Sequence, residues 1–416
     1  MISGLLIILI SLPWFSSDAE EVPEPAPEPK REFRVSEIQR KVREFRLLGD
    51  QFLSGDQDAY RKRQTVSKAL SEELAGQPQE VWKRPPDVEA LMLFVLFGGR
   101  AEPLLKAIDS GNLPDPWKEA ARAISAYAER QLDLARSHFK NITMTDLPES
   151  LRAPLKLVQG TLLAETQPEE AKALFESVRL LEPGTALEEA AMRQQALLLL
   201  KQEKIKEATL LIANYTRRYP RSVYWQQFQA VAVQALSEAP LGDELAIVKA
   251  IDTIPTVSGA DRYRDFLAEA SRQILEDGHF ESARKIAEAT MAVSQSGSQA
   301  WHRAKLYSLV AKALFEDPSS VRQELVALDR RSYRSDEQAL IEAAIKIIDR
   351  IIEGYTVESD AMSLSHTEDK PKPQTEPPVE KKDKPETASV ALPPALKDDI
   401  QKTLETASAR LAKKGD

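Results

Sequence analysis

Apolar residues recur every three or four positions from the start of the predicted folded region. They are Val35, Ile38, Val42, Phe45, Leu48 and Phe52. This spacing is that of one face of an α-helix. Basic residues between Arg34 and Arg46 fall on the opposite face. We interpret that basic face as solvated rather than as a membrane-binding or partner-binding patch.

A short helical pattern with a small central residue occurs five times along the chain. The segments are LDLARSHF, PEEAKALF, IKEATLLI, DELAIVKA and FESARKIA. Their central alanines are Ala135, Ala171, Ala208, Ala246 and Ala283, which gives a period of about 37 residues. Two helices of ~12 to 15 residues with two short turns produce a period in this range. Each alanine is therefore expected where the second helix of a pair approaches the first closely.

The closing positions of two units support the same register. Pro183 and Pro220 each follow the alanine of their unit by 12 residues, and proline ends a helix. Sequence near Ala101 and Ser320 extends the register at both ends. We predict an all-α, tetratricopeptide-like helical-repeat solenoid of five to seven units. The period exceeds the usual ~34 residues and the first-helix Trp and Gly-Tyr landmarks are missing, so HEAT-like and Sel1-like helix pairs remain alternatives.

The amino-terminal segment has the pattern of an export signal. Residues 4–15 form a short apolar run, and small residues Ser17 and Ala19 occupy the −3 and −1 positions of a cleavage site. We therefore predict a signal peptide over residues 1–19 and a periplasmic location. The segment before the apolar run carries no Lys or Arg, which leaves an uncleaved anchor or a mis-assigned start as alternatives.

Two Pro-rich stretches flank the predicted repeats. Residues 20–32 predict a Pro/Glu-rich linker, and residues 357–394 a disordered tether rich in Pro, Lys and Glu, because neither stretch can bury a core. The helical repeat domain is predicted between them, over 33–356. Residues 395–416 predict an amphipathic C-terminal helix that docks on a partner, folds back on the repeats or stays idle.

Composition agrees with a soluble helical protein. Hydrophobic residues make up 42% of the chain and charged residues 29%, with only 15 glycines, which disfavours a turn-rich β architecture. A net charge of −9 argues against a general nucleic-acid binder. The absence of cysteine excludes disulfides and thiolate metal sites.

No pattern in the sequence indicates catalysis. The four histidines have no metal-binding spacing, and His279 is interpreted as a turn residue. Nucleophile-elbow, phosphate-loop and dinucleotide-binding motifs are missing. We therefore expect no catalytic, cofactor-binding or metal-binding residues, no cofactor and no small-molecule substrate.

One cluster of aromatic and basic residues is a candidate for partner binding. Its members are Arg217, Arg218, Tyr219, Arg221, Tyr224 and Trp225. These residue types are enriched at protein interfaces because they offer large contact areas and directed hydrogen bonds. Packing between repeats, with solvated arginines, is the alternative interpretation.

Three segments of the chain resemble the MotC family of motility proteins from rhizobia and their relatives. They are 81–100 (VWKRPPDVEALMLFVLFGGR), 180–194 (LLEPGTALEEAAMRQ) and 217–224 (RRYPRSVY). The resemblance covers roughly residues 35 to 350. It implies a periplasmic protein required for flagellar rotation, which associates with the stator protein MotB and assists its folding or stability.

Two other functions remain as alternative hypotheses. A periplasmic helical-repeat scaffold for envelope or polymer-export assembly would share the repeats but have different partners. A hydrolytic enzyme with a repeat domain would require a carboxylate in a deep polar cleft.

Overall fold

The computed structural model describes residues 35–240, 242, 244–254 and 257–364. The helices in these ranges are α1 (Glu37–Leu53), α2 (Gln57–Ala75), α3 (Pro85–Leu96), α4 (Glu102–Asp109), α5 (Asp115–Ala128), α6 (Leu132–Phe139), α7 (Glu149–Leu163), α8 (Pro168–Leu181), α9 (Ala186–Lys201), α10 (Ile205–Arg218), α11 (Trp225–Ser237), α12 (Glu244–Lys249), α13 (Val257–Glu276), α14 (Phe280–Ala292), α15 (Gln299–Lys312), α16 (Pro318–Val326) and α17 (Ser335–Leu364). Short 3-10 helices lie at Gln79–Lys83, Met144–Asp146, Ala250–Thr253 and Arg330–Ser332. No β-strand occurs within the described ranges.

Consecutive helices pair, and successive pairs stack on one another. The hairpins α5/α6, α7/α8, α9/α10 and α13/α14 are four of the five predicted units, whereas in the fifth α12 packs on α10 and α14 rather than on α11. Pairs α3/α4 and α15/α16 extend the array, α1/α2 packs on α3 and α4, and α17 packs on α15 and α16. The prediction of an all-α helical solenoid is confirmed.

The predicted alanine register places the core correctly in four of the five units. Ala135, Ala171, Ala208 and Ala283 are fully buried. Ala246 is only half-buried, so its assignment was wrong. In α12 the buried residues are Glu244, Ile247 and Val248. The place predicted for Ala246 on the buried face is therefore taken by Glu244, two positions earlier.

A recurring turn joins the two helices of several pairs. At the ends of α5, α9 and α13 a residue with positive φ follows the helix: Arg130 (60°), Glu203 (58°) and Gly278 (84°). The next amide in each case donates to the carbonyl five residues back, as in Gln131 N to Ala126 O at 2.8 Å. This is the Schellman arrangement, which usually carries glycine. Two of the three turns use a residue for which this conformation is strained.

Half of the six residues predicted for the apolar face of the first helix are buried, whereas Val35 precedes the helix and is exposed. Ile38, Val42 and Phe45 are buried against α3 and its neighbours. Gly98, with a φ of 89°, follows the C-cap of the apolar helix α3. The predicted signal peptide, linker and C-terminal helix lie outside the described residues. Helix α17 extends to Leu364, within the range assigned to the tether.

Candidate partner-binding site

The predicted cluster lies at the junction between α10 and α11. Arg217 and Arg218 close the last turn of α10, and Trp225 is the first residue of α11. Trp225 is buried, Tyr219 and Tyr224 are half-buried, and Arg221 is exposed. The chain therefore brings the six residues to one loop, but with different degrees of access to a partner.

Glu188, in the first turn of α9, holds two members of the cluster. Its Oε2 accepts hydrogen bonds from Arg218 Nη2 at 2.5 Å, Tyr219 Oη at 2.7 Å and Gly184 N at 2.6 Å. Desolvation alone would raise the pKa of Glu188, but these donors outweigh it and lower that pKa. Arg218 and Tyr219, at the end of α10, are thereby fixed to α9, the first helix of the same pair.

A second carboxylate, Glu189, is buried beneath the same loop. Its Oε1 accepts a hydrogen bond from Tyr215 Oη at 2.7 Å and another from Ser222 Oγ. Burial raises the pKa of Tyr215, and the nearby Glu189 charge adds to the shift. Glu189 Oε2 is buried and has no hydrogen-bond partner in the described part of the chain. These hydrogen bonds hold the end of α10 and the α10–α11 loop against α9.

The aromatic members of the cluster pack against other helices. The Arg193 guanidinium lies 4.4 Å from the centre of the Tyr224 ring, and Phe52 meets that ring edge-on at 6.1 Å. Trp225 stacks on Tyr215 at 6.0 Å. Tyr224 and Trp225 therefore connect α1, α9 and α10 to the start of α11.

The two remaining arginines have fewer contacts. Arg217 donates to Asn214 Oδ1 of its own helix at 2.5 and 3.1 Å. Arg221 is exposed and makes no hydrogen bond or ion pair through its side chain within the described ranges. Of the two exposed candidates, Arg218 is ion-paired with Glu188, whereas Arg221 has no such pair among the described residues.

Two clefts flank this junction. The loop cleft, of about 470 Å³, lies between the end of α1, the α8–α9 loop and the α10–α11 loop. It is lined by residues that include Asp50, Thr185, Arg218, Tyr219, Arg221 and Ser222. Three predicted cluster residues line the loop cleft, and a fourth, Trp225, lines the second cleft.

The helix cleft, of about 710 Å³, lies across α11, α13 and α15. Its lining includes Trp225, Gln229, Arg262, Asp265, Gln299 and Arg303. Apart from Trp225, sequence reasoning missed these residues. These lining residues come from α11, α13 and α15, which follow one another at intervals of about one repeat. Only a search for polar residues that recur with this period in the first helix of each pair could have grouped them.

Ion pairs connect successive repeats at the helix cleft. Arg303 of α15 donates to Glu337 of α17 at 2.9 Å and forms a second ion pair with Glu269 of α13. Arg272 pairs with the same Glu269 at 2.6 Å. Glu337 is 2% exposed and Arg303 8% exposed, so this network is part of the core rather than a free binding surface.

The structure also locates the histidines and other candidate chemistry. His279 is exposed in the turn before α14, as predicted. His138 bonds Glu119 at 2.9 Å, and His366 lies outside the described residues. Within the described ranges no three His, Asp or Glu side chains are placed to hold a metal ion. No helix there has an apolar stretch of the length and hydropathy needed to cross a membrane.

Comparison with known proteins identifies relatives over most of the chain. The family model described as "Chemotaxis protein MotC" matches residues 28–416. The Chemotaxis protein MotC of Rhizobium meliloti (strain 1021) is 23% identical over 339 residues, which are 80% of this chain and 76% of that protein. No solved structure matches the chain.

Proposed function

Because the chain belongs to the MotC family of chemotaxis proteins, we propose that it is a periplasmic protein required for flagellar rotation. It binds the periplasmic part of the stator protein MotB and assists the folding or stability of that protein. It acts by binding, without catalysis.

The family match carries this proposal. It covers residues 28–416, which include every described helix and the segment after them. The described helices add physical support, since stacked helix pairs offer extended concave surfaces of the kind that bind other proteins. The signal-peptide pattern of residues 1–19 supports export to the periplasm.

The α10–α11 junction is the proposed contact region. Glu188 and Glu189 fix the loop against α9, so its backbone is held in place before a partner binds. A pre-ordered surface loses less entropy on binding than a mobile one. We assign direct contact to Arg217 and Arg221, whereas Arg218, Tyr219, Tyr224 and Trp225 position the loop.

Co-purification and stator abundance test this function. In a motile host that expresses the tagged chain, MotB should co-purify with it, and a deletion strain should contain less MotB. Arg221→Glu should weaken recovery of MotB, because it reverses the charge of an exposed contact residue. The matched control is Arg350→Glu, which changes an exposed arginine of α17 that makes no ion pair among the described residues.

Two outcomes would contradict the proposal. Recovery of envelope-assembly proteins in place of MotB would favour the scaffold hypothesis. Unchanged MotB abundance in the deletion strain would remove the assisting role even if MotB co-purifies.

A further inference from the structure

Helix α11 exposes a face that carries no charge. Its 13 residues, WQQFQAVAVQALS, contain no Asp, Glu, Lys or Arg, although charged residues make up 29% of the chain. The exposed positions are Gln226, Gln227, Ala230, Val231 and Gln234. Val231 is 48% exposed. Depletion of charge is typical of the centre of a protein interface, where charges are costly to desolvate.

Two charged side chains beside this face form no close ion pair, although each interacts electrostatically with the other. Arg262 and Asp265 of α13 line the helix cleft, and neither forms an ion pair or side-chain hydrogen bond in the described part of the chain. Arg262 instead lies 5.8 Å from the centre of the Trp225 ring. The neighbouring Glu269, Arg303 and Arg334 are all ion-paired. Arg262 and Asp265 are therefore the two charged lining residues of the helix cleft that form no close ion pair in the described part of the chain.

Both groups are already partly removed from water. Burial raises the pKa of Asp265, with Arg303 acting against that shift, and burial lowers the pKa of Arg262. A partner that covers the cleft removes the remaining water. An anion of the partner beside Arg262 and a cation beside Asp265 then offset the cost of desolvating these two charges.

We propose that the helix cleft and the exposed face of α11 form the docking surface for a segment of the stator partner that carries one acidic and one basic side chain. The acidic side chain pairs with Arg262 and the basic one with Asp265, while an uncharged part of the segment covers Val231 and Ala230. Arg262 and Asp265 are three positions apart on one helix, so their side chains are neighbours. The two pairing residues of the segment are therefore also close together.

This inference rests on the proposed function for the identity of the partner, but it assigns a different surface. The loop cleft, which Arg221 lines, has no lining residue in common with the helix cleft. Charge complementarity selects the segment, because a purely acidic segment is repelled by Asp265 and a purely basic segment by Arg262.

Binding of the purified mature chain to the periplasmic part of MotB, measured by titration calorimetry, tests the docking surface. Arg262→Glu and Asp265→Lys should each raise the Kd about tenfold or more, because each places like charges together in a desolvated contact. The exchange Arg262→Asp with Asp265→Arg keeps the net charge and should be at least as damaging. Val231→Lys tests the uncharged face and should also weaken binding.

Arg350→Glu serves as the charge-reversal control and should bind as the wild type does. Thermal unfolding followed by circular dichroism establishes that each variant remains folded. If the wild type binds MotB and the α13 variants bind equally well, this docking surface is wrong while the proposed function stands. If the wild type itself does not bind MotB, the proposed function and this inference are both overturned.

Discussion

Gly160→Ala should destabilise the protein, contrary to the usual effect of this change inside a helix. Gly160 lies within α7, where an alanine ordinarily stabilises by about 0.5–1 kcal/mol. Here the added Cβ would lie 2.8 Å from Cε1 of Phe175 on α8, and 3.1 and 3.2 Å from two other ring atoms. These distances are shorter than van der Waals contact, so α7 and α8 would have to separate.

The ring has little freedom to move away. Phe175 is fully buried, and its cluster includes Ala153, Val178 and Leu198. Overpacking of this kind costs about 1–3 kcal/mol. After subtraction of the helix-propensity gain, we expect a net loss of about 1 kcal/mol in the free energy of unfolding.

Urea-induced unfolding followed by circular dichroism measures this loss. Gly49→Ala in α1 is the matched control, because its Cβ would approach only the Arg63 Nε, at 3.4 Å. It should stabilise by about 0.5 kcal/mol. In the double variant Gly160→Ala with Phe175→Leu, the two costs should be less than additive by about 1 kcal/mol. A Gly160→Ala protein more stable than the wild type would refute the close packing of this pair.

Three further predictions concern stability. Glu337→Ala should lower the free energy of unfolding by about 3 kcal/mol, because it leaves the buried Arg303 with one carboxylate fewer. As a control, removal of the exposed Glu80 carboxylate should change that free energy by less than about 0.5 kcal/mol. Chemical denaturation measures both changes. Glu203→Gly should stabilise by about 0.5–1 kcal/mol by relieving a left-handed backbone, and a lower urea midpoint would contradict this. Glu188→Gln should cost about 1–3 kcal/mol at pH 7. Because the folded-state pKa of Glu188 is lowered, that cost should shrink as the pH falls below about 4.3, and a constant difference in unfolding free energy across this range would contradict the assignment.

The repeat architecture was predictable because packing of a helix pair demands a small buried residue once per period. Ala135, Ala171, Ala208 and Ala283 carry that signal, and all four are fully buried. The register failed at α12, where Glu244 takes part in the buried face and its Oε1 accepts a hydrogen bond from Ser282. A buried glutamate with a distant partner cannot be recognised from spacing alone.

Only part of the candidate site could be predicted from the sequence. The aromatic and basic residues from Arg217 to Trp225 are adjacent in sequence, so composition was enough to select them. Their anchors, Glu188 and Glu189, come from α9, the first helix of the same pair as α10, and Arg262 and Asp265 come from α13. These residues are distant from the cluster in sequence. The left-handed turns at Arg130 and Glu203 were missed because neither position holds glycine.

Rotation of tethered cells tests the central claim most directly. A strain that lacks this chain should assemble flagella that do not turn, and the wild-type chain supplied in trans should restore rotation. Normal rotation in the deletion strain, with flagella present and the chain absent by immunoblot, would contradict a requirement for this protein in the flagellar motor.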